Sequence, residues 1–154
     1  MSYWEEKLIR QQLDQKLISA KGLSIIEKLP FAWIKTIRTA LGMTSTQLAK
    51  RAGLSQSRII HMEKAEIDGN LKLSTMKKVA EALDMRFVYG FIPNQSLEQM
   101  VNDQALKVAL KRMDKLNHTM RLEEQELSGE EKAEALNDLI QKILIEQPKD
   151  FWDQ

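Results

Sequence analysis

The stretch Met43-Thr-Ser-Thr-Gln-Leu-Ala-Lys-Arg-Ala-Gly-Leu-Ser-Gln-Ser-Arg-Ile-Ile-His-Met-Glu-Lys-Ala-Glu66 holds the start, stop and inward face of two short helices. Thr44 can accept from the helix it opens, and Gln47, three residues on, can return the bond, which predicts a helix over 45–52. Leu48 and Ala49 fall on its inward face, and the small Ala49 lets a second helix cross closely. Gly53 can take the left-handed conformation that stops a helix, Leu54 plugs the corner and Ser55 caps the next helix, 56–64. The buried side of that helix is Ile59 and Met62. Gln56, Ser57, Arg58, Ile60 and His61 are left facing outward.

Two helices joined by so short a turn form a helix-turn-helix, whose second helix enters the major groove of DNA with its N-terminal residues at the base edges. The outward set suits that task. Gln56 can pair bidentately with adenine, and Ser57 can serve several bases. Arg58 can hold guanine or a phosphate, Ile60 can meet a thymine methyl, and His61 lies one turn further along. Backbone N–H groups at Ser45 and Thr46 open the first helix and can donate to a phosphate. Lys35, Arg38, Lys50 and Arg51 are further candidates for the DNA backbone, raising affinity without choosing sequence.

Charge agrees with this reading once the chain is divided. The formal net charge of +1 conceals 15 Lys/Arg against 9 Asp/Glu in residues 1–93, and 8 against 13 in residues 94–154. Within 28–78 the count is 10 basic to 3 acidic. A basic segment beside an acidic one implies an anionic partner for the first.

The rest of the chain reads as mainly helical, an all-α protein with one strand. Trp4, Leu8, Leu13 and Leu17 predict a helix over 3–20. A helix over 30–41 begins at Pro30 and presents Trp33, Ile34, Ile37 and Leu41, with Gly42 ending it. Residues 66–70 are turn chemistry, and a helix over 74–84 carries Met76, Val79, Ala80 and Leu83. The strand signal is Arg86-Phe87-Val88-Tyr89-Gly90-Phe91-Ile92 before Pro93, with a period of two. With no second strand in view, Phe87, Val88, Tyr89 and Phe91 are expected to pair with the same segment of a second copy; the alternative is an extended leg packed on the helices. Beyond Pro93, Ser96 opens a long helix whose stripe runs Leu97, Met100, Val101, Ala105, Val108, Met113, Leu116 and Met120. Ser128 caps a last helix carrying Ala133, Leu136, Leu139, Ile140 and Ile143. The expected organisation is an N-terminal helix and linker over 1–29, the helix-turn-helix domain over 30–85, a dimerisation strand over 86–93, and an acidic helical extension over 94–154.

Several functions lack their chemistry. The chain has no cysteine, so disulfides, thiolate metal sites and thiol nucleophiles are excluded. His61 and His118 stand far apart without metal-ligand spacing, and no phosphate-cradling glycine loop or nucleophile elbow is present. Glu123, Glu124, Glu126, Glu130, Glu131 and Glu134 straddle a helix break, where acidic residues suit the next N-terminus and solvent. Neither enzyme activity nor a cofactor or metal is expected. No apolar run is long enough to span a bilayer and the start is unlike a signal peptide, so the cytoplasm is the expected compartment and no membrane partner is foreseen.

From about Phe31 to Leu83 this order of residues resembles the phage-repressor-like helix-turn-helix family, through Gln47-Leu-Ala-Lys-Arg-Ala-Gly-Leu-Ser-Gln-Ser-Arg-Ile59, Met62-Glu63 and the closing helix. Many members carry glutamine where Ser45 stands, where it contacts a phosphate and buttresses the reading helix; the shorter serine departs from that pattern. Trp33-Ile-Lys-Thr-Ile-Arg-Thr-Ala-Leu-Gly-Met-Thr44, Phe87-Val-Tyr-Gly-Phe-Ile-Pro93 and His118-Thr-Met-Arg-Leu-Glu-Glu-Gln125 are similar to the mobile mystery protein A family. That resemblance implies a DNA-binding, autoregulating, antitoxin-like member of a mobile-element gene pair whose other member is a Fic-family protein. The rival expectation is an interaction module that restrains such a partner through its C-terminal helices.

Overall fold

The computed structural model describes residues 1–27, 32–122 and 128–153, with side chains from Met120 to Leu122 outside the description. In chain order its helices are α1 (Tyr3–Ala20), α2 (Ser24–Glu27), α3 (Trp33–Ala40), α4 (Ser45–Ala52), α5 (Gln56–Ile67), α6 (Leu73–Ala82), α7 (Leu97–Leu122) and α8 (Gly129–Glu146), with a 3-10 turn over Lys21–Leu23 after α1. They group into two compact units: residues 22–91, and residues 1–21 with 92–154. The N-terminal helix therefore shares a unit with the C-terminal helices, whereas a reading in linear order makes it a separate leading piece.

Within residues 22–91, α3 to α6 close around Ile34, Leu48, Ala49, Ile59, Met62, Val79 and Leu83. Ile37, Met43, Leu54, Leu71 and Met76 pack against that cluster. Helix ends are closed tightly, as left-handed caps allow. Gly53, at φ 68°, brings the Leu54 N–H back to the Ala49 carbonyl at 2.9 Å, so the chain reverses while that helix-end acceptor stays bonded. Asp84 does the same after α6 at φ 56°, and the Met85 N–H donates to the Ala80 carbonyl at 2.8 Å. A short polar side chain tolerates this region better than a branched one. α5 continues to Ile67, three residues past the expected end, so Glu66 is helical and the turn begins at Asp68. Of the side chains expected to face the core from α3, Ile34 is buried, but Trp33 and Leu41 are exposed. Pro30 and Phe31, at the expected start of that helix, lie outside the described residues.

In the other unit, α7 and α8 bury Val101, Ala105, Val108, Ala109, Ile143, Leu144 and Phe151, and Tyr3 of α1 joins them. The Gln104 amide donates to the Phe151 carbonyl at 2.6 Å, which ties the segment after α8 to the middle of α7. α1 is attached by polar groups. Asp14 accepts from the backbone N–H groups of Leu97 and Glu98 at 2.7 and 3.2 Å, and Arg10 Nε pairs with Glu98 at 2.9 Å. A carboxylate at a helix N-terminus satisfies donors that have no intrahelical acceptor and meets the positive end of the dipole. With this anchoring, Trp4 is 68%, Leu8 55% and Leu13 41% exposed; of the expected face only Leu17 is half-buried, together with Tyr3, Arg10 and Asp14. Ser96 caps α7 as expected, its Oγ accepting from Gln99 N–H at 3.1 Å, while the Gln99 side chain turns to Asp103 and Asp14 takes the Leu97 and Glu98 N–H groups.

Residues 86–92 are neither helix nor strand, and no strand ladder occurs among the described residues. A strand exists only through a hydrogen-bonded neighbour, and none occurs among the described residues, so the expected strand has no counterpart within them. Phe87 and Tyr89 do lie on one side, with stacked rings 6.1 Å apart. The Met120 side chain and Glu123, Glu124 and Glu126 fall outside the description.

Candidate nucleic-acid interface

The cap chemistry of residues 44–55 builds the motif. Gln47 N–H donates to Thr44 Oγ1 at 3.1 Å, and Thr44 N–H donates to Gln47 Oε1 at 2.7 Å. Ser55 Oγ accepts from Arg58 N–H at 3.3 Å and lies 3.1 Å from Ser57 Oγ. Leu48, Ala49, Ile59 and Met62 are buried, with Leu54 packed at the corner. The outward set Gln56, Ser57, Arg58, Ile60 and His61 is exposed along one helix.

Gln56 is held in place. Its Nε2 donates to Ser45 Oγ at 3.1 Å, joining the first residue of α5 to the first residue of α4. An amide has two N–H donors and a two-lone-pair acceptor, so one N–H and the Oε1 remain for an external partner. Adenine asks for that pair, a donor to N7 and an acceptor for the N6 amino group. The short serine thus still supports the reading helix, through a side-chain bond of its own.

The backbone candidates divide. Lys35, Thr46 and Lys50 are exposed, and Ser45 is half-buried beside Gln56. Arg51 is exposed, but its Nε donates to the Ala82 carbonyl at 2.7 Å, closing the end of α6. Arg38 points inward: Nε and Nη2 donate to the two Glu63 oxygens at 2.6 and 3.2 Å, and Nη1 donates to the Met43 carbonyl at 2.9 Å. Its side chain keeps 14% exposure and that of Glu63 only 9%. Hydrogen bonding to the Glu63 carboxylate pushes the guanidinium pKa upward against its partial desolvation, so Arg38 stays charged. Each of its three nitrogens donates within the protein, so three of its five N–H groups are engaged there rather than left for a phosphate.

Two internal supports escaped sequence reasoning. Glu63 is one, and Glu66 is the other: its carboxylate accepts from Trp33 and Ile34 N–H at 2.7 and 3.0 Å, capping α3, whose own N-cap residue Ala32 makes no side-chain cap bond. The missing signal is long-range pairing across 25 to 33 residues; the only local hint was a helix starting on alanine. These contacts also sharpen the electrostatics. Two of the three acidic residues within 28–78 are turned to internal donors, so the exposed charge of this region, from Lys35, Lys50, Arg58, Lys64, Lys72, Lys77 and Lys78, has little acid among it. A surface of that sign concentrates polyanions.

No group of three or more metal-ligating side chains occurs among the described residues, and no described helix is long and apolar enough to cross a membrane. Residues 34–89 match a family model described as helix-turn-helix. They are a DNA-binding domain of the kind found in transcription regulators. No curated protein and no solved structure matches the chain.

Proposed function

We propose that this chain is a sequence-specific transcriptional regulator, a homodimeric repressor in the cytoplasm that reads a palindromic operator with Gln56, Ser57, Arg58, Ile60 and His61. The carrying observation is the Gln56–Ser45 bond, which presents the free edge of an amide from the exposed N-terminal end of α5. Lys35, Lys50, Ser45 and Thr46 hold the DNA backbone. Arg51 can add to them through the guanidinium nitrogens beyond Nε, and Arg38 acts through the fold.

Pairing of two copies through residues 86–92 is supported by exposure. Val88, Tyr89 and Phe91 are 68, 67 and 88% exposed, an apolar run with unpaired backbone that solvent does not favour. An isologous ribbon covers it and presents two α5 helices to successive major grooves, about 34 Å apart. The likeness of three sequence phrases to mobile mystery protein A supports the antitoxin-like role beside a Fic-family protein. Selection of bound sites from random DNA tests the reading: enrichment of one palindrome is expected, and a pool that stays random would sink it.

A further inference from the structure

We infer that α7 and α8 carry a second self-association surface, in which the lysine row on α7 of one copy meets the acidic row on α8 of another. Lys107, Lys111 and Lys115 are exposed and spaced by four residues, which places them on one face of α7. Glu130, Glu134 and Asp138 are exposed with the same spacing on α8. Among the described residues none of the six makes an ion pair. Asp103, one turn before Lys107, accepts instead from Gln95 and Gln99, and Lys142, one turn after Asp138, pairs with Glu146.

The α8 dipole accounts for Glu130, in its first turn, but not for the rest of the two rows. The effect of a helix dipole fades within a terminal turn, whereas Lys107 and Lys111 lie in the middle of a 26-residue helix and Asp138 lies more than two turns into α8. Each copy carries both rows, so a two-fold pairing satisfies both at once, as an isologous contact requires. Exposed Leu106 and Leu110 on α7 and Ile145 on α8 supply apolar area. Exposed ion pairs add little affinity one by one, so the charges set register and choice of partner while the apolar residues hold the contact. The occupant is a second copy because the rows that meet are opposite in sign and equal in number and spacing. A dimer joined through residues 86–92 can thereby bind a second dimer.

The test is a charge exchange in the full chain, read by sedimentation velocity. One variant carries Lys107→Glu, Lys111→Glu and Lys115→Glu; the other carries Glu130→Lys, Glu134→Lys and Asp138→Lys. Each alone is expected to self-associate about tenfold or more weakly than wild type, and an equimolar mixture is expected to recover the wild-type species. A chain with all six exchanges should also recover it, which separates loss of contact from loss of fold. These substitutions leave residues 86–92 untouched, so the outcome is independent of the ribbon, and none lies on α5. Wild-type sedimentation by either triple variant, or a mixture that stays at the smaller species, would overturn the inference.

Discussion

The amide of Gln56 and the hydroxyl of Ser45, 3.1 Å apart, tie together the N-termini of α5 and α4. One bond therefore couples the group proposed to read a base to the helix end proposed to hold a phosphate. Gln56→Ala is expected to cost about 1–3 kcal/mol on the preferred site and to relax selection at one base position. Ser45→Ala is expected to weaken the same discrimination without lowering thermal stability, because Gln56 loses only its orienting partner. Competition binding across operator variants checks both; a Ser45→Ala chain with unaltered base preference would remove the orienting role.

Lys50 is exposed in the last turn of α4 and is proposed to hold a phosphate. Lys50→Ala should weaken every DNA sequence alike and flatten the salt dependence by about one unit. Titrations at several salt concentrations on specific and random duplexes distinguish this from the Gln56 pattern.

Arg38 and Glu63 form a part-buried bidentate pair, and removing one partner strands the other charge. Glu63→Ala is expected to destabilise the fold by about 3–5 kcal/mol. Arg38→Ala should lower the melting temperature, with DNA binding lost in step with folding. Calorimetry beside DNA titration decides: an Arg38→Ala chain of unchanged stability but reduced salt dependence would return this arginine to the DNA backbone.

Tyr89 sits at the centre of the exposed run, stacked on Phe87. Tyr89→Pro removes a backbone donor and fixes φ, so a ribbon through this segment should weaken while the helices keep their circular dichroism. Unchanged dimer affinity in sedimentation equilibrium would count against pairing here.

Asp14 caps α7 from a different helix. Asp14→Ala should cost about 1–2 kcal/mol, in the range of lost helix caps, and should fall on the unit of residues 1–21 and 92–154. Hydrogen exchange is expected to rise at Leu97 and Glu98 while Leu48 and Ile59 keep their protection; uniform change throughout would contradict it.

The helix-turn-helix was legible because its signals are local. Thr44 with Gln47, Gly53, and Ser55 specify their geometry within four residues, and the spacing of Leu48, Ala49, Ile59 and Met62 separates inside from outside. The α1 face is not legible in the same way: apolar spacing points to Trp4 and Leu8, while the contacts that orient the helix run through Arg10 and Asp14 to positions more than 80 residues away. A carboxylate reaching another helix leaves no periodic trace.

By itself the sequence determined the two helices of the motif, the five side chains on their outward edge and the basic character around them, since caps, turns and periodicity act over a few bonds. Only the tertiary structure decided which charges remain for a partner. Glu63 and Glu66 turn inward, Arg38 follows Glu63, Arg51 closes α6, and Ser45 takes hold of Gln56. Those assignments depend on which donor and acceptor meet when distant segments pack, and partly buried groups must find partners wherever the fold brings them.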